Sequence, residues 1–134
     1  MTRKLDLNID LNKAAWAAQI ALAFIFALAG GFKAFVAPAA LLAKAPDLAA
    51  LPLPFVRFIG IAELAAAAGL ILPSLTRIAP KLTPLAALCV LPILAGAFVV
   101  DLRSGHLASL MLVIVCAALA VFVARARLPR QAAA

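Results

Sequence analysis

Four long apolar runs dominate the chain, separated by short stretches where polar residues and prolines gather. The first extends from about Ala14 to Val36. The second runs from Phe55 to Leu72, between Pro54 and Pro73. The third covers Leu82 to Val100, and the fourth Leu107 to Ala124, with Arg125 following. Each holds about 18–23 residues, enough to cross ~30 Å of hydrocarbon at about 1.5 Å per residue. The shorter ones should stand nearly upright. Strands of a membrane barrel would alternate apolar and polar residues, and these runs do not. The pattern predicts an all-α fold, a four-helix transmembrane bundle forming one domain over residues 14–124, with spans at about 14–36, 55–72, 82–100 and 107–124.

Outside the runs the signals are mixed. In residues 1–13, Leu5, Leu7, Ile9 and Leu11 alternate with Asp6, Asn8, Asp10 and Asn12. Period two suggests a strand, but a lone strand has no pairing partner. An interfacial segment leading to Asn12 as a helix N-cap fits equally well. Ala27-Leu28-Ala29 looks like a signal-peptidase site, yet Asp6 and Asp10 do not suit a basic signal leader, so the run is read as a retained helix. The loop from Ala37 to Pro54 contains Pro38, Pro46, Pro52 and Pro54. It is too broken for a span and leaves room for a short helix around Ala39 to Lys44.

Composition narrows the class. Of 134 residues, 68% are hydrophobic and 13% charged, with a mean hydropathy of +1.19. A soluble domain is nearer half apolar and a quarter charged, so a soluble enzyme is excluded and the first partner implied is the lipid bilayer. Thirty-five alanines and twenty-five leucines favour helices. The net charge of +7 lacks the aromatic interleaving of a nucleic-acid binder. Its distribution instead sets a topology. Arg3, Lys4, Lys13, Arg77, Lys81, Arg125, Arg127 and Arg130 fall on one side of the spans, against Lys44 and Arg103 on the other. The asymmetry predicts both termini in the cytoplasm, with residues 125–134 as a basic cytoplasmic tail.

The charges inside the spans cost most to place. Glu63 lies near the midplane of the second run, where a charge costs several kcal/mol unless it faces protein, water or a partner. Its expected partner is Lys33, about one turn from the end of the first run. Cα–Cβ bonds tilt toward a helix's N-terminus, so in antiparallel spans Lys33 and Glu63 lean toward each other across a gap of about 7.5 Å in depth. Arg57, one turn into the second run, leans outward like Glu63 and should snorkel to the headgroups. With Lys33 and Glu63 it marks where a polar pocket, structural or ligand-binding, is expected, with Asp101, Arg103 and His106 as outer-rim contributors. Three readings stay open: a structural clamp between the first two helices, a polar pocket for a ligand or proton, and a neutral Glu63 bonded to backbone. Around the charges lie small residues. Ala29, Gly30 and Ala37 share a face with Lys33, and Gly60 and Ala67 share one with Glu63, which permits close helix approach. Pro92, with Gly96 a turn on, should kink the third span and free the Leu88 carbonyl.

The loop side collects Asp101, Arg103 and His106 near a Ser104-Gly105 turn. His106 is expected to be solvated. No His, Cys or carboxylate spacing suggests a metal site. Cys89 and Cys116 read as buried free thiols at different depths, which disfavours a disulfide. No P-loop, dinucleotide fingerprint or nucleophile elbow appears, and no catalytic constellation with them.

Several short motifs resemble a known family in order and spacing. Ala29-Gly30-Gly31-Phe32-Lys33 is similar to the Gly-x-x-Lys element of the DoxX-like family. Phe58-Ile59-Gly60-Ile61-Ala62-Glu63-Leu64 and Gly69-Leu70-Ile71-Leu72-Pro73 resemble its second helix. Gly96 to Arg103 resembles its third helix and outer turn. Together they cover about Phe24 to Arg127. One departure is that Asp101 stands where relatives often carry His, although His106 lies nearby. The resemblance implies a multi-pass protein of a bacterial-type inner membrane, with Lys33 and Glu63 as the polar signature. It also implies a membrane subunit or scaffold beside redox or thiol-stress enzymes, with quinone as the ligand to consider and membrane or soluble proteins as partners. An assembly factor for membrane proteins is a second class, with small-residue helix faces as its working surface. A proton-coupled transporter is the third. It resembles small multidrug exporters in having a lone membrane Glu, but those carry the acid in the first helix.

Overall fold

The computed structural model describes the backbone of residues 1–132 and side chains to Leu128. Its elements are α1 (Thr2–Phe35), α2 (Pro38–Lys44), a 3₁₀ turn (Pro46–Ala50), α3 (Leu53–Thr76), α4 (Leu82–Ser104) and α5 (Leu107–Ala132). α1, α3, α4 and α5 are each long and apolar enough to cross a membrane. They alternate in direction and pack in a ring, α1 on α3, α3 on α4, α4 on α5 and α5 back on α1. One end of the bundle carries the start of α1, the end of α5 and the α3–α4 turn; the other carries α2, the 3₁₀ turn and the α4–α5 turn. The first is the terminal end of the bundle, the second its loop end.

The inward face of α1 follows helical spacing: Ala15, Ala18, Gln19, Leu22, Phe26 and Gly30 are buried. Leu70 of α3, Val90 of α4 and Ala120 of α5 meet it in one apolar core. Large apolar side chains on the outer faces, such as Phe24, Phe58 and Met111, are exposed as lipid contacts require. Cys116 is buried in the core, whereas Cys89 faces outward. The expectation of two buried thiols therefore holds for Cys116 only. In a membrane, an apolar position facing lipid is as comfortable as one facing protein, so hydropathy does not separate the two.

Helices outrun the predicted spans. The alternating segment at residues 2–13 is neither strand nor cap: α1 starts at Thr2, and Asn12 lies well inside it. Extending an existing helix adds a hydrogen bond per residue with no new nucleus to form, whereas a strand would need a partner. Pro73 and Pro92 lie inside α3 and α4, which continue past them. The short loop helix appears as α2, anchored by the fully buried Leu41. α5 carries the basic tail as helix to Ala132; the side chain of Arg130 lies outside the described residues. In the α3–α4 turn, Arg77 (φ 60°) and Ala79 (φ 48°) take left-handed conformations uncommon for residues with a Cβ.

Candidate functional site

α1 and α3 touch backbone to backbone near the loop end. A Cβ on Gly60 would lie 2.7 Å from the Ala34 nitrogen and 2.9 Å from the Gly30 carbonyl oxygen. A Cβ on Gly30 would lie 2.7 Å from the Gly60 oxygen. Only glycine at both positions permits this crossing. It sets the next inward residues of each helix, Lys33 and Glu63, face to face. Lys33 Nζ donates to Glu63 Oε1 at 2.5 Å, with the side chains 21% and 5% exposed. The opposed lean of the two side chains thus closes the depth gap between their Cα atoms. Glu63 Oε2 is buried and has no hydrogen-bond partner among the described residues.

Arg57 joins the same cluster but not as a snorkelling side chain. Its guanidinium donates from Nη1 to the Lys33 carbonyl (2.7 Å) and from Nη2 to the Val36 carbonyl (2.6 Å). The last carbonyls of a helix lack intrahelical partners and carry its negative dipole end. An arginine one turn into α3 satisfies both, which keeps it half-buried instead of reaching for headgroups. Lys33, Glu63 and Arg57 therefore form one unit joining α1 to α3.

Asp101, Arg103 and His106 are not drawn into that unit. Asp101 Oδ2 accepts from Ser109 Oγ at 2.6 Å, and the Asp101 carbonyl accepts the His106 backbone N–H at 3.1 Å. His106 is not simply solvated. Its Nδ1 lies 3.1 Å from Asp47 Oδ2 in the 3₁₀ turn, tying that loop to the α4–α5 turn. The proline-rich loop folds back over the loop end and brings Asp47 within reach, a proximity with no local signature. Arg103 is exposed.

The sequence reading missed a second polar cluster at the terminal end. Gln19, fully buried, donates from Nε2 to the Leu70 carbonyl (2.6 Å) and to Ser74 Oγ (3.1 Å). Ser74 Oγ and Thr83 Oγ1 share a hydrogen bond of 2.8 Å. Arg127 Nε donates to Gln19 Oε1 (2.6 Å) and Nη1 to Asn12 Oδ1 (2.9 Å), while its guanidinium lies 5.3 Å from the Trp16 ring centre. All four long helices contribute. The available signal was the spacing of Asn12, Trp16 and Gln19, which places three polar-capable side chains on one face of α1. Among the described residues no group of three or more His, Cys, Asp or Glu is arranged to hold a metal.

The family question is decided by the match of the DoxX-like family profile to residues 17–123, most of the chain. The chain belongs to the DoxX-like family. No curated protein and no solved structure matches it. The segment shared with DoxX-like proteins contains the whole Lys33–Glu63–Arg57 unit. It also holds Gln19, Ser74 and Thr83, but excludes Asn12, Trp16 and Arg127. The polar cluster at the loop end is thus wholly inside the DoxX-like core, and the one at the terminal end straddles its borders.

Proposed function

We propose that this DoxX-like protein is a membrane subunit or scaffold for a redox or thiol-defence enzyme. In this reading it is seated in a bacterial-type inner membrane with both termini in the cytoplasm. Family membership and the four apolar helices support the membrane role. The one-sided distribution of Lys and Arg supports the orientation. The observation that carries the scaffold reading is the engagement of Lys33, Glu63 and Arg57 in holding α1 against α3. Those groups build a rigid helix pair on which a partner can rely, and they leave Glu63 Oε2 buried without a hydrogen-bond partner among the described residues. Quinone is the ligand to test beside this pair, with Lys33 as the donor to a quinone oxygen and Glu63 Oε2 as the acceptor for the hydroxyl of the reduced quinol.

The test is purification of the full chain from its native membrane in mild detergent, followed by thermal unfolding with a short-chain quinone analogue. An oxidoreductase subunit should co-purify. The analogue should stabilise wild type and leave Lys33→Met unmoved. Absence of both the partner and the stabilisation would overturn the reading. Recovery of folding-competent membrane clients instead would replace it with the assembly-factor function, which the outward-facing Pro92 and Gly96 on α4 favour.

A further inference from the structure

The two ends of the bundle differ in the state of their charges. At the loop end, Lys33 and Arg57 are engaged internally. The exposed Lys44 and Arg103 share that end with Asp47 and Asp101. At the terminal end, Arg127 is engaged by Asn12 and Gln19. Lys13, Arg77, Lys81 and Arg125 are exposed, and their side chains make no ion pair or hydrogen bond among the described residues. They come from α1, the α3–α4 turn and α5, so they ring the terminal end. Asp6 and Asp10 are the carboxylates on this side. They lie further out along α1, where Arg3 and Lys4 accompany them.

The α3–α4 turn adds an apolar element to this ring. The left-handed residues Arg77 and Ala79 flank Ile78, which is 74% exposed, with Lys81 three residues beyond Ile78. A bulky aliphatic side chain held outward between two cations fits the boundary between acyl chains and headgroups.

We propose that this ring is a binding surface for anionic phospholipid headgroups, with Lys13, Arg77, Lys81 and Arg125 meeting the phosphates and Ile78 entering the acyl region. Unpaired Lys and Arg near a membrane surface attract anionic lipid, and salt screens the attraction. The loop end, where the exposed Lys44 and Arg103 are matched by Asp47 and Asp101, has a weaker attraction. The proposal is independent of any partner enzyme.

Trp16 provides the readout, because it is the chain's single tryptophan and sits at the terminal end beneath Arg127. The full chain is reconstituted in phosphatidylcholine vesicles and titrated with brominated phosphatidylglycerol or brominated phosphatidylcholine, whose bromines quench tryptophan. Wild type should prefer the anionic lipid by about tenfold at low salt, falling as salt rises. The variant with Lys13, Arg77, Lys81 and Arg125 all changed to Gln should prefer it by about twofold or less. Its unfolding temperature in neutral detergent should stay unchanged. Lys44→Gln with Arg103→Gln should retain the full preference. Equal quenching of wild type by the two lipids would overturn the proposal. So would persistence of the preference in the fourfold variant, or an equal loss in the loop-end variant. Inorganic phosphate at matched ionic strength should have no more effect than chloride. If it alone abolished the preference, the ring would be a site for free phosphate and not for lipid.

Discussion

The two polar clusters hold the same bundle by different means. At the loop end, one full ion pair and one arginine join two helices at a point where the backbones already touch. At the terminal end, amide and hydroxyl groups pass hydrogen bonds across four helices, with a single arginine at the rim. The first arrangement concentrates its strength in one contact, whose loss leaves a buried charge. The second spreads it over several neutral bonds, and interhelical bonds of that kind average about 0.6 kcal/mol in membranes. A small bundle can thus be fixed tightly at one end and laced more loosely at the other.

The sharpest way to break the contrast is Glu63→Ala. It strands Lys33 in a partly buried site and should destabilise the protein by about 3–5 kcal/mol. Glu63→Gln keeps a hydrogen-bond acceptor and should cost less. Detergent unfolding that returned equal stability for wild type and both variants would remove the clamp. A cycle with Lys33→Met measures the coupling directly. Next in size is Gly60→Ala, whose added Cβ meets backbone on α1. It should cost about 1–3 kcal/mol, and should weaken the Lys33–Glu63 coupling measured in the same cycle. Gly96→Ala, with open space around the site, is the control and should be neutral or slightly stabilising.

At the terminal end, Gln19→Leu removes the partner of Arg127 Nε and of the Leu70 carbonyl, and should cost about 1–2 kcal/mol. Its coupling to Arg127→Met should be on the order of 1 kcal/mol. A coupling as large as that of Lys33 with Glu63 would erase the difference between the two ends. The smallest effect belongs to Asp47→Asn. The Asp47–His106 pair is well exposed at His106, and its loss should shift stability by less than about 0.5 kcal/mol. Faster proteolysis in the Ala37–Pro54 loop would be its clearest sign.

The same contrast explains what could be read in advance. A Glu and a Lys stand out in apolar runs, and helix geometry alone points them at each other. Their juxtaposition was therefore legible, as were the four spans and the short loop helix. Gln19, Ser74 and Thr83 cost far less to bury, so they leave only a faint mark on a hydropathy pattern. Arg127 was visible as a topology charge, but its inward turn depends on α5 packing beside α1. Arg57 is visible as a member of the cluster, but its contact is not, because its partners are backbone carbonyls, which every sequence has. The alternation at residues 5–12 misled because a long helix can carry a period-two pattern beyond the region where burial imposes its own period. Cys89 faces outward against the expectation of a buried thiol, since lipid and protein interior are alike to an apolar residue.

The glycine crossing also acts as a fulcrum. Gly30 and Gly60 fix α1 and α3 at one point, so the pair can pivot more readily than it can slide. Ser74 lies fourteen residues along α3 from Gly60, a lever arm of about 21 Å. A scissoring of about 5° at the crossing would move Ser74 by roughly 2 Å. That is enough to break its 3.1 Å bond to Gln19 while leaving the ion pair beside the fulcrum nearly undisturbed. The terminal lacing therefore registers changes in helix angle that the clamp itself would scarcely feel.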